Sequence, residues 1–224
     1  MKITILMPAL NEEESIAKTI EMIPFNVLNE AGFETDVLVV DGGSSDKTVE
    51  YAKSAGARVI LSRKGYGRQY MAGFKEARGE IIITADSDCS YPMEEVPGLI
   101  NILISENLDF ISTNRFARMD KYSMMFLNKL GNKILTFSTN LLFNFSLKDS
   151  QSGMWVISKK MLDEIRLKGS GMSLSQEIKI RAFRNFKSRE VDSTYRKRIG
   201  KVKLRMFIDG MDNLYNLLKL RILG

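Results

Sequence analysis

Short β-branched apolar runs alternate with helix-patterned segments through the first half of this chain, and few folds accept that rhythm. Runs at residues 2–7, 35–41, 57–61, 80–86 and 108–113 read as strands, and segments 13–23, 46–55, 67–77 and 93–105 carry helical periodicity between them. Such alternation builds a mostly parallel α/β sheet flanked by helices on both faces. Ligands of these sheets sit at the carboxyl ends of the strands. The chemistry is expected where the apolar runs stop.

Past residue 115 the pattern changes. Segment 124–143 is helical, with Leu127, Leu130, Ile134, Phe137 and Leu141 on one side; 155–157 and 191–195 read as strands and 174–183 as a helix. The tail, 205–224, is an amphipathic helix whose stripe includes Leu204, Phe207, Ile208, Met211, Leu214, Tyr215, Leu218 and Ile222. It either packs on the sheet or rests on a membrane surface. Residues 1–204 form one domain, since 224 residues suffice for a single large core.

Composition removes several chemistries. Histidine is absent, which excludes His-based triads, imidazole zinc sites and a His general base. Cys89 is the sole cysteine, so no internal disulfide forms and a reducing, cytoplasmic setting fits. Beside two carboxylates its thiol is expected to stay protonated and unreactive. The opening MKITILMPALNEEE reads as a strand and acidic residues, not a signal peptide. The longest uncharged stretch, 134–147, is too short and polar to span a bilayer. Net charge is +6, with ten Lys/Arg against Glu190 and Asp192 between Arg181 and Arg205. That segment suits a phosphate-bearing partner or an anionic membrane surface, or is a solvated face. It carries no helix-turn-helix, zinc or RNA-binding signature, so no nucleic-acid partner is expected.

Three strand ends concentrate the candidate chemistry. In IIITADSDCSYP, Asp86 and Asp88 project one residue apart where an apolar strand ends. Paired carboxylates there can hold Mg²⁺ or Mn²⁺ against a diphosphate. In MPALNEE, Pro8 is expected to end the first strand, and Asn11 and Glu12 offer polar groups to a sugar or base, or Asn11 caps the next helix. In VVDGGSSD, Asp41 can accept hydrogen bonds from a base or ribose, Gly42 and Gly43 let backbone approach a ligand, and Ser45 or Asp46 caps a helix. The glycines of KGYGRQ follow the third strand, so they are not a dinucleotide fingerprint, and no G-x-x-x-x-G-K-[ST] loop occurs. A nucleotide would be held through carboxylates and a metal.

PALNEEESI, VVDGGSSDKT, GYGRQYMAGFKEARGEIIITADSDCSYP, STNRF, DSQSGMWVISKKML and YRKRIGKVKL, in that order over about residues 1–204, resemble the inverting GT-A glycosyltransferases of the dolichyl-phosphate mannose synthase type. The resemblance implies a Rossmann-like GT-A fold and transfer of a hexose from GDP-mannose or UDP-glucose to dolichyl or another polyprenyl phosphate, at the cytoplasmic face of a membrane. It assigns Pro8, Leu10, Glu12 and Asp41 to the nucleoside, Ala85, Asp86, Ser87 and Lys203 to the nucleotide-sugar, and Asp86, Asp88 and Ser90 to the metal. Asp88, Arg115 and Arg198 become catalytic, with Arg115 on phosphate. Asp149 and Ser152, and more weakly Glu177, fall on the acceptor side, or are turn and cap residues. Two positions depart from the family pattern. Ser90 stands where Gln is frequent, and the late arginine falls within Arg196-Lys197-Arg198, where Arg198 is favoured.

Chemistry agrees. A phosphate monoester has its second pKa near ~6 and is an ionised nucleophile at neutral pH, so it needs no general base. A hydroxyl acceptor, the alternative within the same fold, would require a carboxylate base such as Asp149 or Glu177. A sugar-1-phosphate nucleotidyltransferase would carry a Gly-rich basic loop after the first strand, where this chain has PALNEEE.

Overall fold

A computed structural model describes residues 1–169, 171–200 and 206–223. Seven strands among these residues form one sheet: β1 (Lys2–Ala9), β2 (Glu34–Asp41), β3 (Arg58–Leu61), β4 (Ile81–Thr84), β5 (Phe110–Met119), β6 (Trp155–Ser158) and β7 (Ser188–Tyr195). Their spatial order is β3-β2-β1-β4-β6-β5-β7. All neighbours are parallel except β6, which runs against both β4 and β5. Nine α-helices among the described residues complete the chain: α1 (Ile16–Glu21), α2 (Phe25–Glu30), α3 (Thr48–Ser54), α4 (Tyr66–Glu76), α5 (Val96–Ser105), α6 (Phe126–Phe143), α7 (Lys159–Glu164), α8 (Leu174–Asn185) and α9 (Met206–Leu223).

The central strands are apolar on both sides because both sides are covered. Ile3, Ile5 and Met7 of β1 meet α1 and α5 in one layer, while Leu6 joins Tyr70 and Phe74 of α4 and Ile178 of α8 in the other. Each such aliphatic side chain contributes about 1.5–3 kcal/mol on burial. Alternation along the strand therefore fixes register as well as stability.

Several elements depart from the sequence pattern. Pro8 does not end β1: Pro8 pairs with Val40 and Ala9 with Asp41. The β1–β4 ladder stops at Leu6, so the missing proline N–H falls where no β4 partner waits. Residues 13–15 form a turn before α1, and Met93–Glu95 is a single 3-10 turn before α5. The short helices α2 and α7 were not expected, and β5 runs on to Met119 through a register shift between Asn114 and Arg118. The tail is helical as expected, and its partner is α6. Leu217, outside the expected stripe, is fully buried with Leu135, Phe143 and Ile180, whereas Met211, Tyr215, Leu218 and Ile222 are exposed. Leu204 lies outside the described residues, as do the side chains of Phe207 and Ile208.

The antiparallel β6 matters for position. The chain enters it at Trp155, whose N–H donates to Thr84 Oγ1 at the carboxyl end of β4 (2.9 Å). The loop 149–153 is thereby delivered to the edge where β1, β2, β4, β5 and β7 all end.

Candidate active site at the carboxyl edge of the sheet

β2, β1 and β4 are adjacent, so the three strand ends meet in one crevice. Ser87 Oγ donates to Pro8 O (2.9 Å), and Gly42 N–H donates to Ala9 O (2.9 Å). Beyond β4 the chain passes Ala85, buried, and half-buried Asp86. It then turns at Cys89, whose φ of 64° is left-handed. That conformation is costly for a residue with a Cβ. It is held by Cys89 N–H on Thr19 Oγ1 (3.1 Å) and by Ser90 N–H on Asp88 Oδ1 (3.0 Å). Burial raises the Cys89 thiol above its ordinary pKa, as expected from the sequence.

Asp88 is 3% exposed, and its other oxygen receives Arg198 Nη2 at 2.8 Å. The same nitrogen lies 3.8 Å from Glu12 Oε1. Arg198 reaches there because Arg196 N–H bonds Ser90 O and Ile199 N–H bonds Asp88 O, both at 2.9 Å, laying segment 196–199 along 88–90. The resemblance made Arg198 catalytic; here its guanidinium pairs with the candidate metal carboxylate. Its Nε is buried without a partner among the described residues.

Asp86 differs from its neighbour. No hydrogen bond among the described residues reaches its carboxylate. Burial, then the charge of Asp88, pushes it up to about 7 against the pull of Arg198 and Arg115. A carboxylate with no hydrogen bond from the described residues, beside a second one, fits a divalent cation, which would restore its charged form. Ser90 Oγ, also buried and without a well-formed hydrogen bond, fits as a weak additional oxygen. Among the described residues no three acidic or sulfur side chains cluster as a ready metal cage, so a diphosphate would have to complete the coordination.

Arg115 sits at the register shift of β5, which turns it out of the ladder. It is 7% exposed and grips Asp149 in a fork, Nε to Oδ2 at 2.7 Å and Nη2 to Oδ1 at 3.0 Å. Its guanidinium also stands 5.3 Å from the Tyr195 ring centroid. Arg115 stays ionised and Asp149 is held below the ordinary carboxylate range by that charge, despite complete burial.

Several other expected residues are engaged by the protein itself. Asp41 accepts Gly43 N–H (2.8 Å), Ser44 N–H (2.9 Å) and the Ser44 hydroxyl, so a base or ribose would compete with its own loop. A Cβ on Gly42 would lie 3.1 Å from the Gln69 side chain, which ties Ala9 O to Val40 O. Asn11 does not cap a helix; its Oδ1 accepts Ser45 N–H (2.8 Å). Neither Ser45 nor Asp46 is the N-cap of α3, which is Lys47; Asp46 accepts Thr48 N–H (3.0 Å) in the turn before the helix. Glu177 accepts the N–H groups of Lys168 and Gly169 and pairs with Arg181 at 2.9 Å, which makes it a loop clamp. Ser152 Oγ bonds the Thr113 hydroxyl (2.7 Å) beneath the loop. Pro8 and Leu10 are half-buried along the crevice, Glu12 is buried in it, and Lys203 lies outside the described residues.

The sequence missed an aromatic wall. Tyr91 accepts Gly153 N–H (2.6 Å) and meets Tyr195 edge-on at 5.5 Å, and a Cβ on Gly153 would fall 2.6 Å from the Tyr66 hydroxyl. The glycine of DSQSG was the available signal: it has room for hydrogen only.

The carboxyl edge of this mostly parallel sheet thus carries an aspartate pair and two arginines, each arginine held by a carboxylate. The chain belongs to glycosyl transferase family 2, whose profile matches residues 4–166. It is 34% identical over 212 residues to the low-salt glycan biosynthesis hexosyltransferase Agl6 of Haloferax volcanii, covering 93% of this chain and 51% of that protein. It is 31% identical over 210 residues to a dolichyl-phosphate hexose transferase of the same organism, covering 93% of this chain and 89% of the relative. The chain thus spans about half the length of the first and most of the second. In fold it matches glucosyl-3-phosphoglycerate synthase from Mycobacterium tuberculosis, solved with Mn²⁺, UDP-glucose and phosphoglyceric acid. That match has a TM-score of 0.80 at 20% identity, over 100% of this chain and 80% of that one.

Proposed function

We propose that this chain transfers a hexose, mannose or glucose, from GDP-mannose or UDP-glucose to a dolichyl-type polyprenyl phosphate, inverting the anomeric centre. The observation that carries this reading is the commitment of both candidate bases. Asp149 is locked in a fork with Arg115 and Glu177 clamps backbone, so neither is offered to a hydroxyl acceptor. An ionised phosphate needs no base but does need cations to bring it near another anion. Arg115 and Arg198 supply these, and Arg198 Nε, which has no partner among the described residues, gives a donor for a phosphate oxygen. Asp86, Asp88 and Ser90 would hold Mg²⁺ or Mn²⁺, which when bound supplies charge for the departing nucleoside diphosphate. The names of the Haloferax relatives support a hexose and a polyprenyl phosphate.

No helix among the described residues is long and apolar enough to cross a membrane. The exposed apolar stripes of α6 and α9, which pack side by side, support peripheral docking on the cytoplasmic face, where a lipid acceptor is presented.

The test is incubation of labelled GDP-mannose and UDP-glucose with Mn²⁺ or Mg²⁺ and either polyprenyl phosphate or a glycan. Label should partition into organic solvent with the lipid only, and Asp88→Asn should abolish metal-dependent donor binding. Transfer to the glycan alone, or full turnover in excess chelator, overturns the proposal.

A further inference from the structure

One charged group in the core serves no step above. Lys179, on the inner face of α8, is 0% exposed. Its ammonium makes one hydrogen bond among the described residues, to the backbone oxygen of Asp149 at 3.2 Å. The charges that reach it come from three other segments: Asp149 on the loop before β6, Arg115 on β5 and Glu190 on β7. Burial dominates, and the amine is pushed down to about 7 even with Asp149 nearby. A methionine would fill the space without burying a charge, so the lysine destabilises the fold as a packing choice.

What it contributes is visible at Asp149. Every polar group of that residue is held. Its N–H donates to Glu190 Oε1 (2.9 Å), which also ties Glu190 to Lys148 N–H (2.8 Å) through Oε2. Its carbonyl takes Lys179, and its carboxylate takes the Arg115 fork and the Gln151 N–H (2.9 Å). The backbone is thus pinned from both sides by charged groups of α8 and β7, and the carboxylate it carries sets the plane of the Arg115 guanidinium.

We propose that Lys179 is a positioning residue: with Glu190 it fixes the backbone of Asp149, and through that carboxylate it aims Arg115 into the cleft. This rests on reading Arg115 as an anion-gripping group. Small misplacements of such groups have large effects on rate, because the interaction is made only in the correct geometry.

Two variants test it, Lys179→Met, which keeps volume and loses the donor, and Lys179→Gln, which keeps a shorter donor. In ¹⁵N-resolved spectra the Arg115 Nε–H, assigned by its absence in Arg115→Lys, should be protected from exchange in the parent. Protection should fall about tenfold in Lys179→Met and partly return in Lys179→Gln, since the fork persists only while its backbone is held. With labelled GDP-mannose or UDP-glucose and polyprenyl phosphate, Lys179→Met should lower kcat about tenfold while KM for the donor stays within about twofold. In the Arg115→Lys background the same change should have no further effect. Unchanged Nε–H protection in a folded Lys179→Met or Lys179→Gln protein overturns the proposal, and so does an equal loss in both backgrounds. If even the parent transfers no sugar, the functional reading fails, and the exchange measurement still decides Lys179.

Discussion

Helices α5 and α6 are both amphipathic, yet they use their faces in opposite ways. α5 turns Val96, Leu99, Ile100 and Leu103 onto the sheet. α6 turns Leu135, Thr136, Thr139 and Phe143 inward and leaves Leu127, Leu130, Ile134, Phe137 and Leu141 at 45–71% exposure. Its inner hydroxyls are occupied: Thr139 bonds Leu135 O (2.8 Å), and Thr136 accepts Ser150 N–H (3.0 Å) on the loop that carries Asp149. Periodicity therefore reveals that a helix has a side, but not which medium that side meets. A continuous exposed apolar stripe beside a second one on α9 is the signature of a surface built for contact.

The largest consequence is in stability. Leu99→Ala should cost about 3 kcal/mol in urea unfolding, as a cavity in a packed layer does. Phe137→Ala should stay within about 0.5 kcal/mol, like other exposed substitutions. A comparable loss at both would mean that α6 faces the core. Next, combined Phe126→Ser, Phe137→Ser and Leu141→Ser should weaken association with anionic vesicles at least ~10-fold at unchanged melting temperature, because three apolar contacts are lost from the bound state alone. Vesicle binding that survives would assign the stripe to another partner.

Titration extends the contrast to α8, which buries a charge on its inner face. The Lys179 amine, lowered to about 7 in the fold, has an unfolded value near ~10.4. Between those values the unfolded chain holds a proton that the native protein has lost, so stability rises with pH. Lys179→Met should accordingly gain most on the parent below pH ~7 and lose that advantage by pH ~10. Parallel curves would show that the amine titrates normally. The smallest effect is Thr136→Val, which should cost about 1 kcal/mol by stranding the Ser150 N–H that α6 satisfies.

Much of the architecture was legible because buried strands and covering helices write opposite periods into the chain. The crevice was legible too, since Asp86 and Asp88 follow an apolar run that can only be a strand end. The partners were not. Whether a carboxylate at a strand end serves a ligand or its own loop leaves the same residues in the sequence, and Asp41 proved to bond its own loop. Arg115 finds Asp149 across 34 residues through a shift in β5 that no pattern announced. Lys179 sits among apolar neighbours with only its letter to mark it. Its role emerges from three segments that meet in space.

Cys89 gives the protein a built-in reporter. Cys89, 8% exposed and the sole cysteine in the chain, rests its sulfur on Thr19 Oγ1 (3.2 Å) and Ser15 O (3.7 Å) with its proton retained. An alkylating reagent can reach it only while the turn beneath the aspartates is sprung. Its labelling rate, followed by mass spectrometry with no engineered tag, therefore counts the openings of the cleft floor, and a donor that clamps that floor should slow the count.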